Sequence, residues 1–278
     1  MLTEPLARKT HRKTLVMGIL NVTPDSFFDA GRFTARETAV KQARAMAEAG
    51  ADIIDIGGES SRPGADPVTP DEEQARVLPV LEDLADCPVP ISVDTYHAAT
   101  AQAALDRGAA MINDITALRG DPAMAGTVAA AECDCVLMHM QGDPKTMQHE
   151  PRYRDVIDDI RAFFEERMEY AVAAGVKEER IWLDPGFGFG KTARHNLQLL
   201  RRLGEFLRLG RPILVGASNK STIGTVLDAP VDDRAEGTAA AVAISIAHGA
   251  AAVRVHDVAM MARVARMSDA IMGYSDYE

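Results

Sequence analysis

Cysteine is scarce in this chain, three residues in 278, and the number is odd. Cys87 stands alone, and Cys133 and Cys135 flank Asp134 without a Cys-x-x-Cys pair or partnered histidines. A disulfide framework and a zinc or dithiol redox site are therefore not expected; the pair reads as strand packing in a reduced, cytoplasmic protein. Long hydrophobic runs are missing too. Nowhere do about eighteen apolar residues follow one another, and the basic stretch 1–13 has no apolar core, so neither membrane insertion nor export is expected. Positive charge is in deficit, 30 Lys and Arg against 41 Asp and Glu for a net charge of -11. No basic run is long enough to follow a phosphate backbone, which argues against a nucleic-acid partner. An anionic ligand must then meet a local positive cluster set in an acidic surface.

What is present, 47% hydrophobic and 26% charged residues, is an ordinary globular composition, and residues 1–278 read as a single domain. Eight short apolar runs recur, at 15–20, 52–56, 89–93, 110–112, 135–138, 181–183, 213–215 and 251–255. Between and after them lie helical patterns at 35–49, 70–86, 98–107, 122–131, 153–174, 196–209, 234–248 and 258–272, several followed by glycines suited to helix ends, such as Gly50, Gly108 and Gly175. This alternation predicts an α/β fold, a (β/α)8 TIM barrel, with an open parallel sheet as the alternative.

In a barrel the residue closing each run faces a shared cavity at the C-terminal ends of the strands. Those residues are Asn21, the loop 57–64, Asp94, Asn113 with Asp114, His139, Asp184, the segment 216–220, and Arg254 with His256. Polar groups at every strand end are hard to explain as packing, although Asp114 alone reads equally as a turn cap and His139 as a satisfied core histidine. Asp94, Asn113 and Asp184, with Lys220, suit a flat heterocycle rich in N–H donors and ring acceptors. Arg62, Arg254 and His256, with the Asn21 amide, suit a phosphate or diphosphate and its magnesium ion. The run 181–191, Ile-Trp-Leu-Asp-Pro-Gly-Phe-Gly-Phe-Gly-Lys, ends a strand on a carboxylate and alternates glycine with Phe187 and Phe189, suited to closing over a flat ligand. Its glycines lack the spacing and placement of a dinucleotide fingerprint.

The segments Met17–Phe27, Asp55–Gly64, Ser92–Thr95, Ile112–Ile115, Met138–Gly142, Leu183–Lys191, Ser218–Ser221 and Arg254–Val258 together resemble the dihydropteroate synthases of folate biosynthesis, in family order over nearly the whole chain. The resemblance implies a transferase that joins 6-hydroxymethyl-7,8-dihydropterin diphosphate to p-aminobenzoate, with Mg2+, and releases diphosphate. By the same resemblance Asp94, Asn113, Asp184 and Lys220 would bind the pterin, and Met138 and Gly216 would also be substrate-binding. Asn21 would meet the metal, and Arg62, Arg254 and His256 the diphosphate. Ser61, Pro63, Phe189, Lys220 and Ser221 would frame the aminobenzoate under a closing loop, 22–32. Asp94, Asp184, Lys220, Arg254 and His256 carry the chemistry in this reading.

Two positions depart from the family's pattern: Asn219 replaces a usual arginine, and Phe28 a small serine. A folate-dependent methyltransferase of the same barrel type would need no diphosphate site, and a catalytically silent pterin-binding paralogue would release no diphosphate. The alanine-rich helix 234–247 suits a homodimer.

Overall fold

The computed structural model describes residues 4–6, 13–23, 32–60 and 64–274. Each apolar run is a parallel strand: β1 Leu15–Asn21, β2 Ile53–Gly57, β3 Ile91–Asp94, β4 Met111–Asp114, β5 Asp134–Met138, β6 Ile181–Asp184, β7 Leu214–Val215 and β8 Ala252–Val255. Neighbours pair in the order β6-β5-β4-β3-β2-β1-β8-β7. A parallel bridge from Leu183 to Ile213, with Leu183 N–H donating to Pro212 O at 3.0 Å, joins β6 to β7. The sheet is therefore a closed (β/α)8 TIM barrel and not the open alternative.

The helices among the described residues are α1 Arg32–Glu48, α2 Pro70–Asp83, α3 Ala98–Leu105, α4 Met124–Ala131, α5 Val156–Ala173, α6 Ala193–Arg201, α7 Ser221–Leu227, α8 Ala235–Ala247 and α9 Val258–Met272. Local chemistry sets where several begin. Thr69 and Glu72 form a reciprocal capping box with Pro70 in the first turn of α2. Asp155 accepts from Ile157 N and Asp158 N at the start of α5, and Asp257 accepts from Met260 N at the start of α9. Two helical expectations are corrected. The pattern 196–209 breaks after Arg201 into a 3-10 segment, Leu203–Leu209, where Gly204 lowers helix propensity. The short α7, directly after β7, was not anticipated.

Strand alternation sorts the interior into two cores. Residues facing outward, such as Ile54, Ile56, Val93 and Leu183, bury themselves against the helices. Residues facing inward, among them Met17, Ile53, Met111, Val136 and Trp182, fill the barrel, with Leu6 packed among them. The floor contains one buried carboxylate. Asp134 accepts from Trp182 Nε1 at 3.1 Å, Arg180 Nη1 at 3.2 Å and Leu6 N at 3.3 Å, so its charge is not left unpaired. Cys133 and Cys135 are buried beside it as free thiols, in accord with the packing role expected of them. Apolar filling stops above Ile53, where the inward position of β2 becomes Asp55.

Candidate active site

Register brings the predicted rim together. Asn21 aligns with Gly57, Gly57 with Asp94, and Asp94 with Asn113, while Met138 aligns with Asp184 across β5 and β6. Arg254 aligns with Met17, so its side chain enters the barrel deeper than that of Asn21. There Nε donates to Asp55 Oδ2 at 2.6 Å and Nη2 to Asp94 Oδ2 at 2.8 Å. Asn113 Nδ2 donates to the same Asp55 oxygen at 3.0 Å. The guanidinium therefore belongs structurally with the ring-reading carboxylates, and charged partners on both sides hold it in one plane.

Two inward glycines keep the space above this network open. A Cβ on Gly57 would lie 3.6 Å from Asp94 Cβ and 3.7 Å from Asn21 Oδ1. A Cβ on Gly216 would lie 3.8 Å from Arg254 Cβ and 4.0 Å from Asp184 Oδ2. The absent side chains leave a slot between Asp184 and Arg254 that a planar ring can enter; Met138, in register with Asp184, belongs to a separate apolar cluster with Ile115, Met140, Met147 and Phe189.

The electrostatics match a cavity that awaits donors. Burial pushes Asp184 up to about 6 against the opposing pull of the Gly186 N–H, 2.7 Å from Oδ1, and of Lys220, Arg254 and Lys191. Burial likewise raises Asp94 to about 7, partly offset by Arg254 and reinforced by Asp55, Glu73 and Asp114. Burial also raises the turn cap Asp114 and the floor carboxylate Asp134, so it is the position of Asp94 and Asp184 at the strand ends that marks them as ligand-binding candidates. One oxygen of the fully buried Asp55, Oδ1, and the neighbouring Ser92 Oγ have no hydrogen-bond partner.

Lys220, the residue before α7, places Nζ 4.0 Å above the centre of the Phe189 ring, which brings the sixth and seventh strand ends together. Ser221 opens α7 beside it and is exposed. His256 Nδ1 lies 2.9 Å from Ser218 Oγ, a residue the motifs contained but to which no role had been assigned. Ser61, Arg62 and Pro63, and residues 24–31 of the expected closing loop, including Phe27 and Phe28, lie outside the described residues.

Other residues read differently in three dimensions. Asp114 is the turn cap: its oxygens accept from Thr116 N, Thr116 Oγ1 and Leu118 N. His139 is a satisfied core histidine whose Nδ1 accepts from Lys191 Nζ at 2.9 Å, and burial keeps it well below its ordinary range. Phe187 is buried in the outer core against the helices, whereas Phe189 packs with Met138 in the separate cluster and carries Lys220 over its ring. Lys191, given no role in advance, is buried and lowered to about 7, chiefly by that burial. It donates to Gly186 O and Phe189 O, both at 2.9 Å. At Asn219 the backbone is left-handed, φ +57, which asparagine tolerates well, and Arg234 Nη1 donates to its carbonyl at 2.9 Å. A guanidinium thus reaches this turn from another element. Asp55 and Asn196 were missed. Asp55 could have been found as a lone charge at an inward position of an apolar strand, whereas nothing local marks Asn196.

Residues 17–256 match the profile of a family described as pterin binding enzyme. The chain is 48% identical over 271 residues to the dihydropteroate synthase of Bacillus subtilis strain 168, covering 97% of this chain and 93% of that one. A dihydropteroate synthase from Clostridium difficile, solved in the presence of pteroic acid, superposes with a TM-score of 0.89 at 46% identity, over 94% of this chain and 97% of that one. The Xanthomonas albilineans dihydropteroate synthase with 4-aminobenzoic acid also gives 0.89, at 43% identity over 94% of each chain. The chain belongs to the pterin-binding enzyme family and, within it, to the dihydropteroate synthases.

Proposed function

We propose that the strand-end cavity joins 6-hydroxymethyl-7,8-dihydropterin diphosphate to p-aminobenzoate, giving 7,8-dihydropteroate and diphosphate. The observation that carries this is the convergence of Asp94, Asn113, Asp184 and Arg254 on a slot kept open by Gly57 and Gly216. Asp94, Asn113 and Asp184 take the polar edge of the pterin, Met138 packs beside it, and Lys220 reaches both the ring and the neighbouring Phe189. The bond from the exocyclic methylene to the diphosphate oxygen breaks early and its electron pair leaves with diphosphate. Asp94 and Asp184 stabilise the pterin cation so formed, and the amine nitrogen then bonds to the methylene and loses a proton. Catalysis is positional and electrostatic, and no side chain acts as nucleophile.

Arg254 on the ring side and His256 at the rim face the leaving group from two depths. Phe189, Lys220 and Ser221 frame the arylamine; Ser61 and Pro63, which the resemblance assigns to the same pocket, and Arg62, which it assigns to the diphosphate, lie outside the described residues. Among the described residues no group of three or more His, Cys, Asp or Glu side chains forms a metal cage. The amide oxygen of Asn21 is a hard donor of the kind magnesium takes, and it would hold the ion beside the diphosphate. When bound, magnesium would neutralise charge on the departing diphosphate. A homodimer is supported by an apolar groove on α8 and α9, lined by Ala243, Met260, Val264, Met267 and Ile271. A cytoplasmic setting is supported by the free cysteines, and no helix among the described residues is long and apolar enough to cross a membrane.

Mixing the two substrates with magnesium tests the reading. Diphosphate and dihydropteroate should appear in equal amounts and only with p-aminobenzoate present. Absence of diphosphate would favour a silent paralogue. The relatives' names do not favour the methyltransferase alternative.

A further inference from the structure

Asn196 lies in the first turns of α6, outside the barrel, and is 1% exposed. Both ends of its amide are used. Oδ1 accepts from Gly188 N at 2.9 Å, and Nδ2 donates to Thr222 Oγ1 at 2.8 Å. Gly188 is the tip of the loop after β6, with φ +87, and a Cβ there would lie 3.2 Å from Lys220 Cδ. Phe189 follows it, and Thr222 follows Ser221 at the start of α7. One buried side chain therefore fixes the distance between the Phe189 loop and the Lys220–Ser221 turn.

The Asp184 end of the loop has further anchors, one of which, Lys191, also holds Phe189 O. The Asp184 carboxylate is held by Gly186 N, its carbonyl accepts from His139 N at 2.8 Å, and Lys191 holds Gly186 O. Gln148 Nε2 also donates to Gly188 O at 2.7 Å, but from an exposed position where water competes. Among the described residues Asn196 is the buried side chain that hydrogen-bonds both the loop tip and α7, beside the direct stacking of Lys220 on Phe189.

We propose that Asn196 is a positioning residue for the arylamine pocket: it sets the gap between Phe189 and the Lys220–Ser221 turn without touching substrate. The proposal rests on the reading that Phe189 and Ser221 frame p-aminobenzoate. Losing the clamp widens the second pocket, whereas Asp94, Asn113 and Asp184, three of the four polar groups assigned to the pterin, are held independently of it.

The test is steady-state kinetics with saturating pterin diphosphate, together with calorimetric titration of the pterin substrate, on Asn196→Ala, Thr222→Val, Asn196→Asp and Phe189→Ala. Asn196→Ala and the milder Thr222→Val should each raise KM for p-aminobenzoate, the former by about tenfold, with pterin Kd within about twofold of wild type. Asn196→Asp keeps an acceptor for Gly188 N–H and can accept from the Thr222 hydroxyl, so it should recover most of the lost affinity. Parallel rises in KM and pterin Kd would mark Asn196 as merely structural and overturn the proposal. So would an unchanged KM in Asn196→Ala and Thr222→Val while Phe189→Ala raises it. An unchanged KM in Phe189→Ala would overturn the assignment of Phe189 to that pocket, and the clamp with it.

Discussion

Asp55 is the residue on which the site's geometry most depends and the one least visible in the sequence. It sits in Ile-Ile-Asp-Ile-Gly, which reads as an apolar strand, yet two-residue alternation turns it inward between Ile53 and Gly57. Its carboxylate is shared by Arg254 Nε and Asn113 Nδ2. Asp94, Asn113 and Asp184 were legible because each closes an apolar run, whereas Asp55 lies within one and is recognised only when Arg254 reaches it from the far end of the chain. Asp55→Ala leaves a buried guanidinium with one partner fewer. It should cost about 3 kcal/mol or more of stability in urea unfolding, and a loss below about 1 kcal/mol would show that Asp94 alone suffices to hold Arg254. A second prediction follows from the raised carboxylates. Asp184 and Asp94 keep their protons in the folded state up to about 6 and about 7, above the unfolded value of about 3.9. Their contribution to stability is complete below about pH 4 and is lost as pH rises towards 7. Asp184→Asn removes one such group, so its stability should fall less steeply between pH 5 and 7 than that of wild type; equal slopes would contradict the raised value.

At the scale of the element, apolar runs located all eight strands because a barrel strand buried on both faces must be nearly continuous in apolar residues. Helix ends were less legible. Residues 221–227 carry Ser, Thr and Gly in a single short helix held by its neighbours, and tertiary packing rather than periodicity decides such a segment. The loop after β6 was recognised as special, but its two phenylalanines could not be told apart by spacing: Phe187 goes to the outer core and Phe189 to the cluster with Met138. Gly186 explains why the loop lies as it does. Its φ is +67, and a Cβ would fall 1.9 Å from His139 O, so the loop is pressed onto the end of β5 at a point where only glycine fits. Gly186→Ala should destabilise by more than about 3 kcal/mol in chemical unfolding, because strain and backbone overlap add. A variant as stable as wild type would mean that the loop can lift away and that Asp184 is not fixed from this side.

At the scale of the whole molecule, the barrel turns distant sequence into one surface: Asp55 and Arg254 meet across 199 residues, and Lys191 meets His139 across 52. The groove on α8 and α9 was anticipated only as alanine-rich composition, since which side chains of a terminal helix stay exposed depends on how it docks. Met267 at 63% and Ile271 at 72% exposure lie on one face of α9, and covering that face with a second copy removes apolar surface from water. If the proposed homodimer uses this face, Met267→Lys with Ile271→Lys should sediment as a monomer where wild type sediments as a dimer; a monomeric wild type would contradict the proposal. The central claim is that the strand-end carboxylates read a pterin, and calorimetric titration of the pterin substrate into wild type and Asp184→Asn tests it most directly. Losing a charged hydrogen bond should weaken binding by about 1.5 to 3 kcal/mol while the variant stays folded, whereas unchanged pterin affinity in a folded Asp184→Asn protein would remove Asp184 from the site and contradict the account.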